Sequence, residues 1–136
     1  MKSPKEIVDK MMAKDYFSQW LGIKVLETGQ GTSKLSMTVR NEMLNGFGIA
    51  HGGITYCLAD SALAFSSNSH GKKAVSVETS VSHTVSIVEG DELIAEAREE
   101  HCSNKIGIYS VVIKRAADNA VVALFKGTVY RTSMDW

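Results

Sequence analysis

Proline is almost missing from this chain, Pro4 being the only one, and cysteine is nearly so, with Cys57 and Cys102 alone. Two cysteines cannot build a disulfide framework, and these two stand at no metal-ligand spacing. Reduced thiols in or near the core are therefore expected, with no metal and no cofactor. An excess of charge is missing too: 15 Lys and Arg face 15 Asp and Glu, without a run of either sign. That excludes the basic patch on which nucleic-acid or membrane-surface binding depends. No apolar run approaches the ~20 residues that span a bilayer. The Met1-Lys2-Ser3-Pro4-Lys5-Glu6 start carries no apolar stretch behind its charges, so no secretory signal and a cytoplasmic location are expected.

What remains is the composition of an ordinary globular domain. The 136 residues, 44% apolar and 22% charged, suit one domain with one core. Ser3, Pro4 and Glu6 form a capping box with proline at the first helical position. Ile7, Val8, Met11, Met12, Tyr16, Phe17 and Trp20 recur at helical spacing, predicting an amphipathic helix over 4–20 that Gly22 ends. The period then changes to two. Ile23 and Val25, a turn at Gly29-Gln30-Gly31, and Leu35, Met37 and Val39 predict a hairpin. A loop through Asn45-Gly46 leads to His51-Gly52-Gly53 and a second helix over about 52–69.

Four strands follow, around Val75–Val81, Leu93–Ala97, Ile106–Val112 and Val121–Tyr130, with a turn at Asp118-Asn119. Strands not separated by helical crossovers predict an α+β domain with a largely antiparallel sheet. The second helix is apolar nearly all round, and such a helix is buried. The economical packing is a sheet curling around this one helix.

Asp60 is the only charged residue between Ile54 and Phe65. The positions one turn away hold Tyr56, Cys57, Leu63 and Ala64, so no cation on the helix can pair with it. A carboxylate in a desolvated cleft acquires a raised pKa and a reactive lone pair, which suits a base or a nucleophile. His51-Gly52-Gly53 offers the complementary half: unpaired N–H groups at a helix N-terminus, bare enough for close approach, as at an oxyanion site. Asp60 lies eight residues beyond Gly52, which is ~12 Å along a helix and too far for one carbonyl to touch both. If the two cooperate, they come from different subunits, as in a two-fold dimer with adjacent helices.

Met43-Leu44-Asn45-Gly46, His51-Gly52-Gly53, Leu58-Ala59-Asp60-Ser61-Ala62 and Ala123-Leu124-Phe125-Lys126-Gly127 resemble the hotdog thioesterases of the PaaI type, associated with phenylacetic-acid breakdown. The resemblance runs over nearly the whole chain and includes the element order. It implies a hotdog fold, acyl-coenzyme A hydrolysis and a homo-oligomer, a dimer or dimer of dimers, with sites shared between subunits. It implies that Gly52 polarises the thioester oxygen, assisted by Asn45 and His51. It further implies that the partner chain's Asp60 activates water or attacks, with Ser76 orienting the water. Gly53, Phe47, Tyr56 and Leu63 are expected to line the acyl pocket, with phenylacetyl-like groups favoured. The segment His83–Asp91 departs from the pattern, lacking the basic residue and proline that relatives carry there. His70, His83 and His101 are expected to be structural. A hotdog hydratase or dehydratase and a catalytically silent acyl-coenzyme A binder are the alternatives.

Overall fold

The structure, a computed structural model, describes all residues 1–136. Helix α1 (Pro4–Met12) starts as the capping box predicts, with the Ser3 hydroxyl accepting from the Glu6 N–H at 3.2 Å. The single helix expected over 4–20 does not form. Asp15 offers its carboxylate to the N–H and hydroxyl of Ser18, at 3.0 and 2.7 Å, and so starts a new helix, α2 (Tyr16–Trp20). A short polar side chain that can satisfy a helix N-terminus competes with continuation of the helix before it. The restart turns Ser18 inward, to a 2.8 Å hydrogen bond with Ser61, and leaves Tyr16, Phe17 and Trp20 exposed rather than in the core.

The strands are β1 (Lys24–Gly29), β2 (Thr32–Thr38), β3 (Lys72–His83), β4 (Glu92–Cys102), β5 (Ile106–Arg115) and β6 (Val121–Asp135). They form one antiparallel sheet in the order β1-β2-β4-β5-β6-β3. The long excursion that separates β2 from β3 in sequence contains a 3-10 turn (Asn41–Met43) and helix α3 (Gly52–Asn68), and it sends β3 to the far edge. Gly31, at φ 77°, closes the β1–β2 hairpin, and Asn119, at φ 61°, turns β5 into β6 where Asp118-Asn119 was expected to.

Helix α3 lies in the concave face of this sheet, so the expected hotdog arrangement is the one observed. Its Leu58, Ala59, Ala62, Leu63 and Phe65 are buried against Leu35, Leu93, Ala95, Tyr109, Val111, Ile113 and Phe125. Full burial of each large side chain contributes roughly 1.5–3 kcal/mol. The C-terminal half of the helix is buried too, although it reads Ser66-Ser67-Asn68-Ser69. Those polar groups find partners. Ser66 shares a hydrogen bond with Ser33, and Ser69 accepts from the Gly31 N–H. The Asn68 amide bridges the carbonyls of Ala64 and Ala74.

Gly127 of β6 passes directly under α3. A Cβ there would stand 2.5 Å from Leu63 Cδ2 and 3.1 Å from Phe125. Gly127→Ala should lower stability by about 1–3 kcal/mol through overpacking, measured as the midpoint of urea unfolding. The same substitution in a Leu63→Ala background should cost much less. Equal losses in both backgrounds would show that the helix–strand contact is not the cause.

Candidate functional site

The loop before α3 is a small hairpin. Leu44 and Ala50 form a bridge, Gly48 turns the chain at φ 77°, and the Asn45 N–H donates to the Ile49 carbonyl at 2.8 Å. The Asn45 side-chain oxygen accepts from the N–H of Phe47 (2.9 Å) and of Ile49 (3.4 Å). This is the local turn that Asn favours. It commits the oxygen and leaves the amide nitrogen free to donate.

His51 caps α3, its Nδ1 accepting from the Gly53 N–H at 2.8 Å. The neutral ring therefore carries its proton on Nε2. The Gly53 N–H expected to serve a ligand is thus taken, and His51 acts on the site by shaping the helix start. The Gly52 N–H has no partner in the chain. A Cβ on Gly52 would stand 3.1 Å from Cε1 of His83, so glycine lets that ring lie against the backbone. His83 Nε2 in turn lies 2.7 Å from the Thr55 hydroxyl, which donates to the Gly52 carbonyl at 2.9 Å. Asn45, Ala50, Gly52, Thr55, His83 and Ile87 border a cavity of about 320 Å³. Its polar rim holds two free donors, the Gly52 N–H and the Asn45 amide.

Asp60 is half-buried, one face turned out of the core. Burial, and then the negative charge of Asp15, push its carboxyl above the usual carboxylate range, and no hydrogen bond or cation offsets them. Burial also raises the Cys57 thiol beside it, and the Asp60 charge adds to the effect. Asp60 does not border the 320 Å³ cavity. Within one chain the carboxylate and the free donors are apart, as the length of a helix requires.

The remaining expected residues scatter. Ser76 is exposed on β3, away from the cavity. Phe47 is 90% exposed at the loop tip. Tyr56 is half-buried, its hydroxyl 2.8 Å from Thr79 Oγ1 and its ring edge-on to Phe125 at 5.7 Å. Leu63 is only 1% exposed and packs over Gly127, so it is core and not a pocket wall. Helical spacing alone could not distinguish the face of α3 turned to β6 from the face turned outward. Two cavity residues escaped the sequence, Thr55 and His83. His83 ends its strand 32 positions after His51 with no spacing to link them; only the pairing of β3 with β6 brings it over the helix start.

A family model described as the thioesterase superfamily matches residues 47–122. A protein of Archaeoglobus fulgidus carrying an esterase designation is 41% identical over 130 residues, covering 96% of this chain and 84% of that one. The acyl-coenzyme A thioesterase PaaI of Escherichia coli is 34% identical over 121 residues, covering 89% and 86%. The solved structure of the E. coli PaaI protein from the phenylacetic acid degradation operon superposes with a TM-score of 0.94 at 31% identity, over 97% of this chain and 95% of the other.

The strain at Asp60 has a measurable consequence. A carboxyl whose folded pKa is raised costs nothing below the unfolded pKa. It destabilises the fold increasingly as pH rises through the folded value. Asp60→Asn, which keeps the neutral shape, should therefore raise the thermal midpoint at neutral pH, with the gain shrinking to nothing at acid pH. A midpoint lowered by the substitution at pH 7 would contradict the desolvated carboxylate.

Proposed function

The chain belongs to the thioesterase superfamily, and from that premise we propose that it is an acyl-coenzyme A thioesterase whose centre is completed by a second copy of the chain. The observation that carries this reading is the separation of two complementary halves. A desolvated carboxylate without a partner sits on the middle of α3, and two donors without acceptors sit at the helix start. Placed side by side about a two-fold axis, two such helices would bring each half to the other chain's complement.

The outer edge of the sheet supports that assembly. Strand β3 runs 12 residues with nothing paired on one side, and it exposes Val75 and Val77 by 58% and 61%. A long unpaired edge with exposed apolar side chains is a template for another strand. Pairing there would cover it and bring Ser76 of one chain toward the helix of the other.

In the completed centre the thioester carbonyl oxygen accepts from the Gly52 N–H and the Asn45 amide of one chain, which stabilise the charge that develops on it. Asp60 of the second chain takes a proton from a water that attacks the carbonyl carbon, or attacks that carbon itself. The C–S bond then breaks. In the first course Asp60 returns the water's proton to the sulfur and the free acid forms directly. In the second, coenzyme A leaves as a thiolate protonated from solvent, and water hydrolyses the acyl–Asp60 anhydride to the acid and the free carboxylate. Raised by burial, the Asp60 carboxyl is a stronger base than an exposed aspartate, and its ionisation sets the acid limb of the rate profile. Ser76 would orient the water. Phe47 and Tyr56 would wall the acyl group, favouring a short flat aromatic acid such as phenylacetyl over a long saturated one; ring contacts add roughly 0.5–1.5 kcal/mol to area burial.

Asp60→Asn should reduce kcat by at least ~100-fold with substrate binding retained, and near-normal turnover would sink the mechanism. Refolding that variant together with chains inactivated at Gly52 should restore activity, because hybrids hold one intact centre. Active monomers by light scattering would refute the shared site. A kcat/KM for palmitoyl-coenzyme A at or above that for phenylacetyl-coenzyme A would overturn the aromatic preference and leave the thioesterase standing.

A further inference from the structure

We propose that His70, Glu99 and Cys102 form a binding site for a divalent metal ion of the zinc class. The three side chains offer one nitrogen, one oxygen and one sulfur, and these donor atoms all lie within 4.8 Å of one another. They come from separate places: His70 just past the C-terminus of α3, the other two from the end of β4. Since α3 is 17 residues long, this cluster stands ~25 Å from the free donors at Gly52. The hydrolytic centre has no use for it.

A distortion of the sheet creates the cluster. Residues 99 and 102 of a regular strand would project to opposite faces. Here Glu99 opposes Tyr109 but His101 opposes Ile108, so one extra residue is inserted, and Cys102 opposes Gly107. The bulge puts Glu99 and Cys102 on the same face, as bulges near sites do. Gly107 leaves the room, because a Cβ there would meet the Tyr109 ring at 2.9 Å.

The surroundings are those of a ligand set held ready. His70 Nε2 and the buried Tyr109 hydroxyl both approach the same oxygen of Glu99, at 2.6 and 2.7 Å. The hydroxyl orients the carboxylate from behind, as partners of metal ligands do. Arg131 is the cation near Cys102, and its buried Nε has no acceptor in the chain. A thiolate held by a metal would supply one. Imidazole with thiolate selects zinc over magnesium or calcium. Binding releases the thiol proton and any proton on His70 Nε2. With three protein ligands, water would complete a tetrahedral set.

Cobalt(II) titrated into the metal-free full-length protein tests this. The expected result is a thiolate-to-cobalt charge-transfer band saturating at one ion per chain, displaced by zinc. Cys57→Ser should keep the band, which leaves Cys102 as the only sulfur that can give it, and Cys102→Ser should abolish it. Zinc should raise the melting temperature of the wild type and of Cys57→Ser by several degrees, and not that of His70→Ala. A wild-type protein with no band, or a band lost in Cys57→Ser, would reduce the cluster to a His–Glu ion pair and overturn the site.

Discussion

A helix without a polar face has to be surrounded, and the rest of this structure follows from that constraint on α3. Its apolar residues leave little of it fit for bulk water, so the sheet curls around it and the two short helices α1 and α2 pack against it, α1 also reaching β1. Burial also dictates where function can sit. The flanks of the helix are occupied by Leu58, Leu63 and Phe65, so only its start and one half-open strip remain in reach of a ligand. The free donors lie at the start, and Asp60 lies on the strip.

The polar groups around α3 divide into two populations. Ser66, Asn68 and Ser69 of its C-terminal end are matched by strands and turns, and they stitch the helix to the sheet at distances of 2.8–3.2 Å. Asp60 is not matched, and its nearest charged influence is another carboxylate. Buried polar groups in folded proteins are ordinarily paired, and one left unpaired calls for a reason. The catalytic role proposed for Asp60 would supply it, at the expense of the stability that a cation or a neutral side chain would have added.

The start of α3 shows the same division on a smaller scale. Its first N–H groups have no partners inside the helix, and the chain uses them selectively. His51 satisfies Gly53 and leaves Gly52 open. The Asn45 oxygen is spent on its own loop while its nitrogen is left unspent. Thr55 and His83 hold each other against the Gly52 carbonyl, so the open N–H is carried on backbone that is fixed from behind.

Patterning by itself determined the α+β class, the six strands, the buried helix and the isolation of Asp60, because these depend on period, on turn chemistry and on charges within one helical turn. It also determined that Asp60 and Gly52 are too far apart to serve one carbonyl alone, since helix rise is a constant. Local competition already exceeded it at Asp15, where a capping carboxylate split the expected N-terminal helix. Tertiary structure decided which face of α3 meets β6, and so moved Leu63 from pocket to core. It decided that His83, far from the helix in sequence, lies over the helix start. It decided, through one inserted residue in β4, that Glu99 and Cys102 share a face with His70. Strand pairing and bulges join residues distant in sequence, and no spacing along the chain records such a meeting.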